Sequence, residues 1–322
     1  MKKDFLSIID IDGYELESIV ADAMRLKRLK SAGTAHEFLK GKSLGMIFEK
    51  ASTRTRVSFE VGMTDLGGHA LFLNPTDMQL GRGEEIRDTA RVLARYTDAV
   101  MIRAYHHATI EEFARYSTVP VINGLSDRLH PCQVLADIMT LKERFGNLRD
   151  LKLAWVGDGN NVCNTWILSS ALTGMEIVVA SPPRYQPRAA VVDQARAGGG
   201  RISIVTDPEE AVRDADVLYT DIWVSMGDEQ ERTERLLALK GYTIDSRLLA
   251  RAPPDALVMH CLPAHRGEEI TDEVLEGPQS IVWDQAENRL HAQKALLLRL
   301  IAGGMPRSEE RRVGKECTMT CR

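Results

Sequence analysis

The chain has 322 residues, of which 44% are hydrophobic and 27% charged, with a formal net charge of -5 and a pI near 6.0. That length suits roughly two domains with buried cores. The acidic balance excludes a general attraction to nucleic acid or to an anionic membrane, so any anion site has to be assembled locally.

The first residues, MKKDFLSIIDIDGYELESIV, interrupt their apolar positions with acidic ones, so no signal-peptide core forms. No window approaches the roughly 20 apolar residues of a membrane span. The five cysteines, at 132, 163, 261, 317 and 321, show neither a CxxC pair nor disulfide-framework spacing. A reducing, cytoplasmic setting is expected, without structural zinc.

In chain order, a helical pattern over LSIIDIDGYELESIVADAMRLKRLKSAG precedes the strand-like runs SLGMIF, HALFL, AVMIR and PVIN. Helical patterns SFEVGMTDLG, EIRDTARVLARY and IEEFARYS lie between them. HPCQVLADIMTLKERFGNLRD follows, with Val134, Leu135, Ile138, Met139 and Leu141 at helical spacing and Gly146 as the stop, and it reads as a linking helix. A second series predicts strands KLAWVG, EIVVAS, ISIVT, DVLYTDIW, ALVMHCL and SIVW, then a terminal helix from about Glu287 to Ala302.

This alternation predicts an α/β fold of two doubly wound parallel-sheet domains, joined by helices, with an active-site cleft between them. The expected division is residues 1–141 together with the helix over 287–305 as one domain and 142–286 as the other. Residues 307–322 have no apolar face, and the run RSEERRVGKEC resembles a translated sequencing adapter. They are expected to be a non-native or disordered tail and are left out of fold reasoning.

The stretch FEKASTRTRVSFE joins a strand to a helix and sets Ser52, Thr53, Arg54 and Thr55 at the helix N-terminus. Free N–H groups and the positive end of the dipole receive an anion there, and Arg54 adds a two-pronged donor. A plain N-cap with solvated arginines is the other reading. AVMIRAYHH leaves Arg103 at a strand end, and VINGLSDRLHPCQ puts His130 and Gln133 ahead of the linking helix. Ligands of open parallel sheets bind outside the carboxyl ends of strands, so these groups are expected to converge. His130 can donate to a carbonyl oxygen, and Gln133 can both donate and accept, which suits a planar amide or carbamoyl group.

STRTR followed by HPCQ resembles the aspartate and ornithine carbamoyltransferase family, over nearly the whole chain from residue 1 to about 305. The resemblance implies that Ser52, Thr53, Arg54 and Thr55 hold the phosphate of carbamoyl phosphate. It also implies Arg103 on phosphate and carbonyl, His130 on the carbonyl oxygen, Gln133 on the carbamoyl nitrogen, and Arg289, from AENRLHAQKALLL, reaching back to the same ligand. TDIWVSMG matches the D-x-x-x-S-M-G pattern of the ornithine branch, which implies that Asp221, Ser225 and Met226, with Asn161 of WVGDGNN, bind ornithine. VMHCLPAHRG carries Cys261 and Leu262, which in that branch lie beside the attacking amine and the carbamoyl group. Gln79 occupies the loop that in the family reaches into a neighbouring subunit's site. A homotrimer, or a multiple of trimers, is therefore implied, with carbamoyl phosphate and L-ornithine as partners and no cofactor or metal.

Arg54, Arg103, His130 and Cys261 are the expected catalytic groups. WVGDGNNV also suggests a dinucleotide-binding oxidoreductase, but Val162 stands at the third fingerprint glycine and EIVVAS ends in Ser181 without an acidic ribose contact. Aspartate, putrescine or N-acetylornithine as acceptor, and a non-enzymatic amino-acid binding protein, are the remaining alternatives.

Overall fold

The computed structural model describes residues 3–79, 83–224 and 229–306. The first half runs α1 (Gly13–Ser31), β1 (Ser43–Phe48), α2 (Thr53–Asp65), β2 (His69–Leu73), α3 (Ile86–Leu93), β3 (Ala99–Arg103), α4 (His107–Tyr116), β4 (Val121–Leu125) and α5 (Pro131–Phe145). Then come β5 (Lys152–Val156), α6 (Asn161–Thr173), β6 (Glu176–Ala180), α7 (Ala189–Ala197), β7 (Arg201–Val205), α8 (Pro208–Val212) and β8 (Val217–Thr220). The chain closes with α9 (Arg232–Leu239), α10 (Ser246–Leu249), β9 (Leu257–His260), α11 (Asp272–Leu275) and α12 (Val282–Ala302).

Local chemistry explains the boundaries that matter. Asp12 and Glu15 form a reciprocal capping box at the start of α1. The Ser52 hydroxyl accepts from Thr55 N–H at 3.2 Å to start α2. Pro131 occupies the first turn of α5, and Gly146, at φ 71°, ends it. Asn160 Oδ1 accepts from Val162 N and Cys163 N at 2.9 and 3.1 Å to start α6.

The strands form two wholly parallel sheets, of order β2-β1-β3-β4 and β7-β6-β5-β8-β9. Strand side chains alternate between faces, and the alternation assigns them to different cores. Ala99 and Met101 of β3, with Leu153 and Trp155 of β5, point into one continuous core that runs between the sheets. Val100 and Ile102 belong to an outer cluster over the first sheet, and Ala154 and Val156 to one over the second. Helices α1, α5, α6 and α12 fill the shared core, so α12 returns to the first half and packs on α1, α2 and α5.

The predicted strand SIVW is not a strand, and the terminal helix begins at Val282 rather than near Glu287. Ser280 makes a single bridge to Val258, after which the chain turns into α12. A four-residue apolar run does not distinguish a buried strand from the first turn of a helix. Similarly, DVLYTDIW ends as β8 at Thr220, leaving Asp221 in the following loop.

Candidate active site

In each sheet the strand order reverses at one place, between β1 and β3 in the first and between β5 and β8 in the second. A crevice opens at such a point, beyond the carboxyl ends of the strands. Both crevices face one cavity of about 330 Å³. From the first half it is lined by Ser52, Thr53, Arg54 and Thr55 after β1, by Arg103 ending β3, and by His130 and Gln133 at the start of α5. The second half contributes Asn161 at the start of α6, Asp221 after β8, Cys261 and Leu262 after β9, and Arg289 of α12.

Arg54 and Arg103 of the first half, with Arg289 of α12, make this cavity electropositive. Arg103 is 6% exposed, and burial together with the neighbouring Arg289 and Arg54 pulls its guanidinium down to about 10. Arg289 is fully enclosed and lowered for the same first reason; its Nη1 donates to Gln133 Oε1 at 2.6 Å and its Nη2 to Thr55 Oγ1 at 3.2 Å. The buried His130 is held well below the usual imidazole range by desolvation and then by Arg289, Arg103 and Arg54, so it is neutral at pH 7. Its main-chain N–H is tied to Thr165 Oγ1 at 2.8 Å, while its Nδ1 has no hydrogen-bond partner among the described residues.

Asp221 anchors the opposite wall. Its Oδ2 accepts from Asn160 Nδ2 at 2.6 Å, and its Oδ1 accepts from Ile222 N at 2.8 Å and from the Cys261 thiol at 2.9 Å. Burial, and after it Asp221, pushes that thiol well above its usual range, so Cys261 is a protonated donor. Asn161 Nδ2 donates to Ser126 O at 2.6 Å, joining α6 to the loop after β4.

Leu262 has φ 57°, an uncommon and costly conformation for a non-glycine residue, and precedes a cis bond to Pro263. Its N–H donates to His260 Nδ1 at 2.9 Å, so the imidazole proton sits on Nε2 and is given to Glu269 Oε1 at 3.0 Å. Asp221, His260 and Cys261 each bring a possible metal-ligand atom within 4.8 Å of the others. Both His260 nitrogens and the thiol proton are nevertheless engaged by the bonds just described.

Of the predicted site residues, Ser225 and Met226 lie outside the described residues. Gln79 is exposed and does not line the cavity of its own chain. Sequence reasoning assigned no role to Lys50, which is 9% exposed, lines the cavity and sets its ammonium 4.6 Å from the Tyr105 ring centroid. Its position in FEKASTRTR was the available signal. Lys50 and Asn161 also border a second, polar chamber of about 320 Å³, where Arg235 pairs with Asp158 at 3.1 Å.

Residues 3–143 match the sequence profile "Aspartate/ornithine carbamoyltransferase, carbamoyl-P binding domain", and residues 149–300 match "Aspartate/ornithine carbamoyltransferase, Asp/Orn binding domain". An ornithine carbamoyltransferase of Methanoculleus marisnigri is 88% identical over 95% of this chain and 99% of its own length. One of Geobacter sulfurreducens is 55% identical over 94% of this chain and 100% of its own. Among solved structures, ornithine carbamoyltransferase from Pyrococcus furiosus is 51% identical, covers 95% of this chain and 98% of its own, and superposes with a TM-score of 0.90. The cavity at two facing switch points and these similarities lead to one conclusion: the chain belongs to the aspartate/ornithine carbamoyltransferase family.

Proposed function

We infer that this chain is an enzyme that transfers the carbamoyl group of carbamoyl phosphate to the δ-amine of L-ornithine, giving L-citrulline and phosphate. The observation that carries the reading is the pairing, across one cavity, of the buried Arg103 and Arg289, the half-buried Arg54 and a helix N-terminus with the Asp221–Cys261 wall. Relatives 88% and 59% identical to it are ornithine carbamoyltransferases, which favours ornithine over aspartate as acceptor.

Site roles follow from the chemistry of each group. The N-terminus of α2, with Ser52, Thr53, Arg54 and Thr55, suits the phosphate, and Arg103 and Arg289 complete its charge balance. A free amine has an ordinary pKa near 10.4. Enclosure beside three guanidinium groups disfavours the ammonium form, which leaves the nitrogen lone pair available for attack. As that nitrogen bonds to the carbonyl carbon, negative charge builds on the carbonyl oxygen, where Thr55, Arg103 and neutral His130 are the available donors. The C–O bond to phosphate then breaks, the proton shed by the attacking nitrogen passes to a phosphate oxygen, and the cradle that bound the phosphate stabilises it as it leaves. Leu262 lies along the carbamoyl group in this reading. Asp221, Asn161 and Cys261 engage the amino acid, with Ser225 and Met226 assigned to the same task by motif alone.

We also place the enzyme in arginine biosynthesis in the cytoplasm; no helix among the described residues is long and apolar enough to cross a membrane. Residues 1–141 with 287–305 form the carbamoyl phosphate domain in this proposal and 142–286 the ornithine domain, consistent with the two sheets and the return of α12. The exposure of Gln79 suits a residue that serves a neighbouring subunit of a homotrimer or a multiple of trimers.

The test is release of phosphate and citrulline from carbamoyl phosphate with ornithine, with aspartate, putrescine and N-acetylornithine run in parallel. Ornithine-dependent turnover that collapses in Arg54→Ala supports the reaction and the cradle. Turnover with another amine alone would overturn the acceptor, and no turnover with any amine would overturn the enzymatic reading.

A further inference from the structure

The carbamoyl-transfer reading leaves open how the cavity distinguishes an –NH2 from a methyl or an oxygen on the carbon being attacked. Gln133 is the side chain in question, because a primary amide presents a donor or an acceptor according to which way it is turned. Its orientation is settled by a chain of hydrogen bonds that begins at a group unable to rotate.

The main-chain N–H of His260, ending β9, donates to Gln285 Oε1 at 3.0 Å. This fixes the Gln285 amide, whose Nε2 donates to Asp137 Oδ1 at 2.8 Å and lies 2.9 Å from the Tyr219 oxygen. Tyr219 OH donates to Asp137 Oδ2 at 2.8 Å, and its ring stacks on Trp155 with centroids 5.0 Å apart. Asp137 is 0% exposed and does not line the cavity. Its Oδ1 also takes the Gln133 Nε2 proton at 2.8 Å. Gln133 Oε1 is thereby turned to Arg289 Nη1 at 2.6 Å, and both residues line the cavity. The opposite orientation would set carbonyl oxygen against carboxylate and amide N–H against guanidinium, two repulsions in place of two bonds.

We propose that Asp137 is a positioning residue for donor-substrate selection: it holds the Gln133 amide so that only the carbonyl faces the cavity, and the site therefore reads an –NH2 on the transferred group. This rests on the carbamoyl-transfer reading and adds what chooses the donor. A methyl in place of the –NH2 leaves the Gln133 acceptor unmatched, and a negatively charged oxygen is repelled by it.

The test compares wild type, Asp137→Ala and Asp137→Asn in steady-state turnover of carbamoyl phosphate with ornithine, with inorganic phosphate and acetyl phosphate as inhibitors. Inorganic phosphate reports the cradle without the carbamoyl end. In Asp137→Ala, kcat/KM for carbamoyl phosphate falls by about tenfold or more, the loss of one well-made hydrogen bond, while phosphate inhibition changes by no more than about twofold. The preference for carbamoyl over acetyl phosphate shrinks in parallel.

Asp137→Asn keeps an acceptor oxygen for both glutamines and turns its own N–H2 to the Tyr219 oxygen, so it retains the wild-type preference within about threefold. Equal losses for carbamoyl phosphate and inorganic phosphate in Asp137→Ala would overturn the proposal, as would loss of the preference in Asp137→Asn. The second variant decides the question even where the first does not fold. Wild-type protein without carbamoyl phosphate turnover overturns the reaction reading and this inference with it; an active wild type without the pattern overturns this inference alone.

Discussion

Replacing Arg103 by methionine separates what the cavity needs for binding from what the fold needs for stability. Arg103 ends β3, is 6% exposed, and has no side-chain hydrogen bond among the described residues. Its guanidinium falls from its ordinary range to about 10, first through burial and then through Arg289 and Arg54. At about 1.4 kcal/mol per pH unit, that drop corresponds to about 3 kcal/mol by which the ligand-free fold disfavours this charge. The cost applies throughout the neutral range, because the group stays charged below about 10. Methionine is similar in reach and carries no charge. Arg103→Met is therefore expected to raise the melting temperature of the ligand-free protein by roughly 6 °C, at about 2 °C per kcal/mol for a chain of this size. Turnover falls by about 100-fold or more, as on loss of a donor to developing negative charge. Differential scanning calorimetry with and without inorganic phosphate checks both halves: phosphate stabilises the wild type strongly and the variant weakly. A variant that melts lower than wild type and keeps its phosphate response would refute the reasoning.

His130→Ala is expected to lower kcat by about 100-fold or more while inhibition by inorganic phosphate stays unchanged. Because His130 is held well below its usual range, turnover of the wild type should show no inflection from this group between pH 6 and 8. Cys261→Ala removes a donor from Asp221 and should raise KM for ornithine more than KM for carbamoyl phosphate, while the wild-type thiol, held protonated, should alkylate slowly with iodoacetamide at pH 8. Asp137 is raised from 3.8 to about 6 by burial, against the hydrogen bonds from Gln133, Gln285 and Tyr219 and the charge of Arg289. Its stabilising contribution is thus complete below its unfolded value and disappears as the pH rises through about 6. Denaturant titrations from pH 4 to 7 should show this component in the wild type and not in Asp137→Asn.

The residues at strand ends were legible in the sequence because parallel sheets place chemistry there and short motifs mark the turns. Ser52 to Thr55, Arg103, His130, Gln133, Asn161, Asp221, Cys261 and Leu262 meet in one cavity for that reason, and Arg289 joins them from α12. The start of α12 was not legible, since SIVW carries too few residues to reveal a period and one bridge to Val258 replaces the expected strand. The support beneath the site was equally hidden. Asp137, Tyr219 and Gln285 come from three elements far apart in the chain, and each alone reads as an ordinary polar residue beside a core. Lys50 was visible in its motif but had no assigned partner, whereas the fold brings Tyr105 beneath its ammonium.

The return of α12 to the first sheet sets an order of events during synthesis. Residues 282–302 fill the core beside α1, α2 and α5, yet they leave the ribosome after every strand of the second sheet. The first half therefore emerges with an apolar groove that its own sequence cannot close, and β5 to β9 can pair before that groove is filled. The part of the molecule translated first is completed last, and a nascent chain paused before residue 282 would expose that surface to chaperones or to other nascent copies.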